Sequence, residues 1–436
     1  MYQLNETHAR DLLSWVESAN DIACDFPIQN LPFGVCEGAS GEASRVVVAI
    51  GDQVLDIAQA LEAGLFEGLA VETAQACRST RLNDLMALGP AHQSALRLQL
   101  SRLLREGTQH SATVKRCLSP TAQKHMLLPA HIGDFSDFFT SIHHATNSGR
   151  LARPDNPLMP NFKHIPVAYH SRASSIVVSG TPCPRPMGQT KPTGASTPVF
   201  GPTRSLDFEC EIGLYVGKGT KLGESIPLDK THEHIFGLSL LNDWSARDMQ
   251  SWESQPLGPF LAKSFMTSMS PWIITLEALA PFRMPAATRG VDDPELLPYL
   301  NEPSDRAHGG LALNLEISLQ SQAMKRQGST PCVISRPKFQ DQYWTLFQML
   351  AHQTSNGCNM LPGDLIGSGT VSGPREGELG CLKEMTADGK IGITLPNGET
   401  RTYLEAGDEV VFRGRCEREG YASIGFGQCS GIVMGQ

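Results

Sequence analysis

The stretch LDFECEIGLYV, residues 206–216, alternates apolar and acidic side chains over its first six positions. A period of two is typical of a β-strand, whose successive side chains point to opposite faces. One face is therefore apolar, and the other is predicted to carry Asp207, Glu209 and Glu211 in a row, about 6.5–7 Å apart. Like charges held this close are unfavourable unless they face water or share a cation. The stretch alone leaves both interpretations open: a solvated polar face, or a site for magnesium or calcium, which prefer oxygen ligands.

Other short apolar runs, separated by turn residues, lie on both sides of this strand. They are SSIVVSGTP (174–182), HIFGLSLLND (234–243), SPWIITLEAL (270–279), LALNLEISLQ (311–320), DLIGSGTVSG (364–373) and DEVVFRGRC (408–416). The chain also has 41 glycines and 29 prolines among its 436 residues. Their combined share of about 16% is higher than the share of about 12% that is usual in globular proteins. This pattern predicts a mainly β fold, an antiparallel sandwich or roll with a few helices. One clear helix is predicted over Gln342–Thr354, before the stop signal Asn356-Gly357.

The first 115 or so residues form a pattern of their own. SRVVVAIGDQVLDI (44–57) predicts a hairpin that turns at Gly51-Asp52. Residues 91–106 predict a helix with one leucine face, made of Leu96, Leu100, Leu103 and Leu104. No acid/base cluster or phosphate-binding loop precedes residue 130. We therefore expect a small, β-rich accessory domain over residues 1–117 and a catalytic domain over residues 118–436.

Composition and charge exclude several classes of protein. The 436 residues include 45 acidic and 36 basic side chains, a net charge of −9, which argues against a nucleic-acid partner. No window reaches the roughly 18 apolar residues that a membrane span requires, and the polar start MYQLNETHARDLL is unlike a secretory signal. Eleven cysteines are scattered singly, which indicates reduced thiols and a cytoplasmic location.

Further polar segments favour a metal site over a solvated face. Asp243 ends the run HIFGLSLLND, where a site residue is common, although an N-cap role explains it equally well. IGDFSDFFTSIHHATNSGR (132–150) gathers five polar side chains, Asp134, Asp137, His143, His144 and Arg150. Lys263 and Thr267 lie in the largely apolar GPFLAKSFMTS (258–268), although a lone lysine is usually solvated. His232 and His234 have ligand-like spacing, but the carboxylates favour a hard ion over zinc.

Long motifs carry a resemblance to a known family. They are HIGDFSDFFTSIHHATN (131–147), LMPNFKHIPVAYHSRASSIVVSGTP (158–182), RPMGQ (185–189), LDFECEIGLYVG (206–217), HIFGLSLLNDWSARDMQSWE (234–253), QPLGPFLAKSF (255–265), NGCNMLPGDLIGSGTVSGP (356–374) and GYASIGFGQC (420–429). In this order and spacing they resemble the fumarylacetoacetase family of the full-length, two-domain type. The resemblance starts near Trp15 and reaches almost to the C-terminus. It implies a small N-terminal β-barrel domain followed by a larger C-terminal β-roll domain that forms a homodimer.

The resemblance also implies roles for single residues. Ligands for magnesium or calcium carry over to Asp137, Glu209, Glu211 and Asp243, with Lys263 and Thr267 in an associated part of the site. The catalytic set comprises a general base, its orienting carboxylate and the oxyanion donors, which correspond to His144, Glu384, Arg247, Gln250 and Lys263. Substrate contacts correspond to Phe139, Arg153, Tyr169, Gln250, Ser254 and Thr370. Phe139 and Ser254 depart from the family pattern, which has tyrosines at both places.

The implied reaction is the hydrolysis of a carbon–carbon bond in 4-fumarylacetoacetate to fumarate and acetoacetate, the last step of tyrosine and phenylalanine degradation. It requires a Lewis acid, a base that works near neutral pH and donors for an oxyanion. A first alternative is an acylpyruvate-type hydrolase or a decarboxylase on the same fold, although those relatives are usually shorter. A second alternative is a non-catalytic binding protein. The presence of His144, Glu384 and all four carboxylates argues against it.

Overall fold

The computed structural model describes residues 3–38 and 41–435. The strands before residue 130 are β1 (Phe33–Cys36), β2 (Arg45–Ile50), β3 (Gln53–Asp56), β4 (Leu118–Pro120) and β5 (Met126–Leu127). Those up to residue 275 are β6 (Phe135–Phe138), β7 (Ala168–His170), β8 (Ile176–Val178), β9 (Met187–Thr190), β10 (Val199–Pro202), β11 (Leu206–Asp207), β12 (Cys210–Val216), β13 (Ile235–Asp243), β14 (Ser245–Ala246), β15 (Thr267–Met269) and β16 (Ile274–Thr275). The rest are β17 (Arg283–Met284), β18 (Gly310–Leu311), β19 (Leu313–Gln320), β20 (Cys332–Ser335), β21 (Leu365–Gly367), β22 (Ile393–Thr394), β23 (Thr400–Arg401), β24 (Glu409–Cys416) and β25 (Ile424–Ile432).

The α-helices are short, apart from α4 and α6. They are α1 (Ile57–Glu62), α2 (Leu69–Ala76), α3 (Asn83–Ala87), α4 (Pro90–Leu104), α5 (Ser111–Val114), α6 (Ile142–Ala152), α7 (Arg247–Glu253), α8 (Leu261–Ser264), α9 (Pro303–His308), α10 (Gln322–Arg326), α11 (Leu346–Thr354) and α12 (Leu382–Met385). None of the helices in the described ranges has the length and apolar character needed to cross a membrane. The predicted sheet-rich character is confirmed, but the twelve α-helices of the described residues exceed the few helices predicted from the sequence.

The N-terminal unit is built on an antiparallel sheet in the order β4-β3-β2-β1-β5. The predicted hairpin is confirmed: β2 pairs with β3, and Gly51 in the turn has a φ of 58°, which glycine adopts without strain. The predicted leucine-faced helix is α4, whose four listed leucines are all buried. The sheet continues through β4 and β5, beyond the predicted boundary at residue 117, because these strands pair with β3 and β1. Among the described residues no pairing joins β4 to β5, so a closed barrel is not confirmed.

The C-terminal unit centres on a mixed sheet in the order β7-β6-β21-β12-β13-β15-β8, with β16 attached to β13. A second sheet, β20-β19-β24-β25, packs against it through a shared apolar core. β25 lies close to Trp244, the residue that follows β13. A Cβ at Gly431 would lie 2.5 Å from Trp244 Cζ2, so only glycine fits there. On the opposite side, Tyr215, Phe236 and Leu241 pack into the core of the N-terminal unit. The central strands β12 and β13 are therefore buried on both faces.

Two sequence predictions require correction. The strand predicted over 206–216 is interrupted: β11 pairs with β14, while β12 pairs with β13 and β21. The helix predicted from Gln342 begins at Leu346, because Thr345 caps it. Thr345 Oγ1 accepts from the backbone of Gln348, whose side chain accepts in turn from the Thr345 backbone, which is a capping box. The Thr-x-x-Gln pattern was the available signal for this start.

Candidate active site

Adjacent strands of the central sheet bring the predicted metal residues together at one place. β6 runs parallel to β21 and places Asp137 beside Gly367, which is the partner of Gly213 on β12. On the other side, β13 pairs with β15 and places Asp243 opposite Thr267. On β7, Tyr169 lies opposite Asp137. Residues separated by more than 200 positions thus meet through strand register.

The four predicted ligands form one compact carboxylate cluster. Asp137, Glu209, Glu211 and Asp243 are all buried, and one carboxylate oxygen from each lies within 4.8 Å of the others. The ammonium group of Lys263 lies against two of them, at 2.5 Å from Glu209 Oε2 and 2.9 Å from Asp243 Oδ2. The predicted association of Lys263 and Thr267 with the cluster is geometrically sound, since Thr267 Oγ1 donates to Asp243 Oδ1 at 3.0 Å.

The charges of this cluster are not balanced by the protein alone. Burial and the neighbouring carboxylates raise the pKa of Asp137 and of Glu211 well above the ordinary value. Burial also acts to raise the pKa of Glu209, but Lys263 and Arg247 outweigh it, so that this pKa lies well below the ordinary value. Glu209 and Asp243 are thus paired with cations, while Asp137 and Glu211 lie where burial and like charges oppose their ionisation. A further cation would stabilise the ionised form of these two carboxylates.

The donor set fits a hard divalent ion. Asp137 Oδ1 and Glu211 Oε1 are buried and have no hydrogen-bond partner among the described residues, which is rare for buried polar atoms. The other oxygen of Glu211 accepts from Gly369 N at 3.0 Å, which fixes the carboxylate. A Cβ at Gly367 would lie 2.6 Å from Asp137 Oδ1 and 3.1 Å from Glu211 Oε2. Glycine at this strand position therefore leaves room for the oxygens, and all the donors are of the type that magnesium and calcium prefer.

Asp207 does not join the cluster, contrary to the row of three carboxylates predicted from the alternation. The break between β11 and β12 turns it toward Arg247, whose Nε donates to Asp207 Oδ2 at 2.8 Å. Asp207 also accepts from the backbone N–H groups of Leu382 and Lys383 at the start of α12. The solvated-face interpretation is also wrong, because Asp207, Glu209 and Glu211 are all buried.

A second group lies beside the cluster and consists of His144 and Glu384. Ser141 caps α6 and accepts from the backbone of His144, which holds the start of the helix in place. His144 Nδ1 lies 2.6 Å from Glu384 Oε2, and both side chains are buried. Burial opposes ionisation of Glu384, but His144 and donors from Asn147 and Ser372 lower its pKa to about 2.

Both groups open into one cavity of about 440 Å³. Its wall contains every predicted substrate contact, namely Phe139, Arg153, Tyr169, Gln250, Ser254 and Thr370. Tyr169 Oη donates to Asp243 Oδ2 at 3.0 Å, whereas Thr370 Oγ1 is buried without a partner among the described residues. The ring of Phe139 packs edge-on against His144, with 5.2 Å between ring centroids. Ser254 Oγ donates to Gln250 O, which directs it back to its own helix.

Sequence reasoning missed three residues of this site: Asp207 as the partner of Arg247, Gly367 between two carboxylates, and Lys383 on the cavity wall. A glycine within a strand often marks a place where a ligand or another part of the chain comes close to the backbone, so the role of Gly367 was detectable in principle. The contact of Asp207 with Arg247 depends on the pairing of β11 with β14, and the place of Lys383 depends on where α12 packs, and no local pattern encodes either.

Comparison with known proteins identifies the family. Residues 29–129 match the family model described as "Fumarylacetoacetase N-terminal", and residues 135–433 match "Fumarylacetoacetate (FAA) hydrolase C-terminal". The chain belongs to the fumarylacetoacetase family. Fumarylacetoacetases of Arabidopsis thaliana and Homo sapiens are each 45% identical to it, over 97% of this chain and 99% of theirs. The fumarylacetoacetase of Caenorhabditis elegans is 44% identical over 94% of this chain and 96% of its own.

Among solved structures, a fumarylacetoacetate hydrolase from Exiguobacterium antarcticum superposes with a TM-score of 0.50 at 14% identity. It covers 93% of this chain and 100% of its own. At this identity the likeness concerns the fold alone.

Proposed function

We propose that this chain is a metal-dependent fumarylacetoacetase that hydrolyses 4-fumarylacetoacetate to fumarate and acetoacetate. The observation that carries the proposal is the juxtaposition of four buried carboxylates with the His144–Glu384 pair on one cavity. Full-length similarity to curated fumarylacetoacetases at 45% identity supports the same reaction. A binding protein without catalysis would have no need for a buried, oriented histidine beside such a cluster.

The ion would be held by Asp137, Glu209, Glu211 and Asp243, which each place one carboxylate oxygen within 4.8 Å of the others. Asp137 Oδ1 and Glu211 Oε1 have no other partner among the described residues. When bound, a magnesium or calcium ion supplies Lewis-acid chemistry that polarises the diketone oxygens and favours the enolate of the leaving acetoacetate. Lys263 keeps Glu209 and Asp243 in place through its two ion pairs.

His144 is the proposed base. Glu384 is ionised near neutral pH, because its pKa is lowered to about 2, so its oxygens act only as acceptors. This assigns the His144 proton to Nδ1 and leaves Nε2 free to accept one. His144 then takes a proton from water as the water oxygen adds to the carbonyl carbon of the fumaryl group. The bond between this carbon and the adjacent methylene carbon breaks, its electron pair leaves with acetoacetate, and the imidazolium gives its proton to that methylene carbon.

Arg247 is the proposed oxyanion donor. Its Nε and Nη1 are occupied by Asp207, Glu209 and Gln250. Nη2 is buried and has no partner in the described part of the chain, although Arg247 lines the cavity. A spare donor of this kind can stabilise negative charge on the carbonyl oxygen, and removal of such a donor typically costs about 10²–10³ in rate. Gln250, which holds Nη1 at 3.0 Å, and Lys263 complete the donor set.

The test is the loss of diketone absorbance when protein is mixed with fumarylacetoacetate in magnesium or calcium. The protein is first stripped with a chelator, and the ion is then restored, so that each preparation is its own control. Comparison of kcat/KM for fumarylacetoacetate, fumarylpyruvate and a saturated acyl analogue distinguishes the proposed substrate from that of an acylpyruvate hydrolase. Constant absorbance with restored metal would refute the proposal, and a preference for fumarylpyruvate would support the alternative.

We also propose that the chain forms a homodimer in the cytoplasm. Exposed apolar side chains on the β9–β10 hairpin and around α8 support an interface: Met187, Val199, Phe200, Leu257 and Phe260. All eleven cysteines are free thiols, which supports a reducing compartment. Light scattering of the full chain and of Phe200→Glu tests the dimer. A monomeric unsubstituted chain would contradict it.

A further inference from the structure

Lys383 occupies a place in the site that the proposed mechanism does not use. It lies on α12 next to Glu384, and its backbone N–H is fixed by Asp207 Oδ2 at 3.0 Å. Lys383 lines the 440 Å³ cavity above the carboxylates and also an adjoining cavity of about 660 Å³. Phe139 and Gln250 line the same two cavities. Asp137 and Glu209 of the carboxylate cluster line the first cavity but not the second, so Lys383 lies where the two cavities adjoin.

The other cations of the inner site are already paired with acids. Lys263 lies between Glu209 and Asp243, and Arg247 between Asp207 and Glu209. Lys383, by contrast, forms no ion pair and no side-chain hydrogen bond within residues 3–38 and 41–435. Arg153, which lines both cavities as well, also lacks an acidic partner there, since its guanidinium donates only to Pro157 O. Two cations without acid partners therefore line the cavity.

An unpaired ammonium group in this position is unfavourable in the free protein. Burial and the nearby Arg247 lower the pKa of Lys383, and they outweigh Asp388 and Asp207, which raise it from beyond ion-pair distance. A carboxylate beside Nζ would restore the charged form, because a charge-assisted hydrogen bond offsets the lost hydration. The methylene groups of a lysine can also stay buried while its ammonium group extends to solvent, where the charge loses less hydration than in a buried position. The absence of any acid partner among the described residues nevertheless leaves its charge available to an anionic ligand.

We propose that Lys383 is a substrate-binding residue whose ammonium group binds one terminal carboxylate of the substrate, an assignment that rests on the proposed function. Fumarylacetoacetate carries two carboxylates, which match the two free cations of the cavity, Lys383 and Arg153. Phe139 and Ser254 line both cavities together with Lys383 and offer no phenolic hydroxyl toward the substrate. Lys383 supplies a donor in this part of the site.

The experiment compares Lys383→Met, Lys383→Arg and the matched control Lys390→Met in magnesium-loaded protein. Lys390 is an exposed lysine seven residues further along the chain. Two quantities are measured: the Kd of fumarate by calorimetry, and KM and kcat for fumarylacetoacetate. We expect Lys383→Met to raise both Kd and KM about ten- to hundredfold, the range for a hydrogen bond between charged groups. The effect on kcat is expected to be smaller, while Lys383→Arg retains most of the binding and Lys390→Met behaves as the unsubstituted chain.

Unchanged Kd and KM in Lys383→Met would overturn the proposal. So would a fall in kcat without a change in Kd, because that result describes a disturbed Glu384 rather than a lost substrate contact. If the unsubstituted protein cleaves no fumarylacetoacetate, the proposed function fails, but the fumarate Kd still decides whether Lys383 binds a carboxylate. Thermal unfolding of each variant separates lost binding from lost folding, and Lys383→Arg keeps the charge should the methionine variant unfold.

Discussion

The carboxylate cluster and the substrate-facing wall of the cavity are built in different ways. Three of the cluster residues lie on strands of the central sheet, and the fourth, Glu209, lies in the break between β11 and β12. The acidic side chains are held by Lys263, Thr267 and the backbone N–H of Gly369. The wall is made from the segments on either side of α6, from α7 and the segment after it, and from α12, and it includes exposed or half-buried side chains such as Phe139 and Arg153. Strand register fixes the positions of the cluster side chains, so a substitution there disturbs the sheet. Residues of the wall can be substituted with less effect on the sheet, because most of them lie on or beside helices. Both departures from the family pattern lie on the wall.

The largest effect is expected from Glu211→Gln, which removes a charged oxygen from the cluster. Activity should fall below detection, because ion affinity depends on ligand charge and number. Calorimetric titration with magnesium and calcium measures the loss, with Glu419→Gln, at an exposed position, as the control. Asp243→Asn should behave in the same way. Full activity of either variant at low micromolar metal would refute the ligand assignment.

His144→Ala is expected to lower kcat by about 10²–10⁴, the range for a positioned base. Metal affinity should change little, because His144 is not one of the four ligands. Glu384→Gln alone should be milder, and the double variant should be little worse than His144→Ala, since the two residues act as a unit. Stopped-flow kinetics of all three variants test this. Independent losses that multiply in the double variant would show that the pair is not functional.

Gly367→Ala tests whether strand register limits the cluster. The added Cβ would lie 2.6 Å from Asp137 Oδ1, so we expect magnesium affinity to fall about 10–100-fold, as for other changes that displace ligands. Gly377→Ala is the matched control, because a Cβ there meets nothing within 4 Å. Equal metal affinity in the two variants would mean that the sheet can relax around the new methyl group.

The smallest effect is expected on the wall. Phe139→Tyr with Ser254→Tyr should lower KM for fumarylacetoacetate about three- to thirtyfold, with a smaller change in kcat, because the added hydroxyls contact the substrate away from the reacting carbonyl. The gain should be larger in a Lys383→Met background, where the wall has lost its donor. Steady-state kinetics of the variants decide this. A raised KM would mean that the new rings obstruct the pocket, and would count first against the fumaryl group as the substrate's acyl part.

Much of this architecture could be predicted from local patterns. Alternation revealed the strand at Cys210–Val216, and the predicted acidic side of residues 206–216 contains two of the four cluster residues, Glu211 on the strand and Glu209 just before it. Leucine spacing revealed α4, and turn chemistry revealed the hairpin at Gly51. Each of these features depends on neighbours a few positions away, so a short window contains the necessary information. The long motifs added the remaining cluster residues through the family resemblance.

Other features depended on the tertiary structure. A period of two predicts which side of a strand a residue faces, but not where the strand breaks, so Asp207 was placed in the carboxylate row although it binds Arg247. The parallel pairing of β6 with β21 joins Asp137 to Gly367 across more than 200 residues. The position of α12 brings Glu384 to His144 and Lys383 to the cavity. The sequence by itself determined the elements and the types of group available, because these follow from local periodicity and side-chain chemistry. The packing of distant elements decided which groups meet, because long-range register is set by the whole buried core.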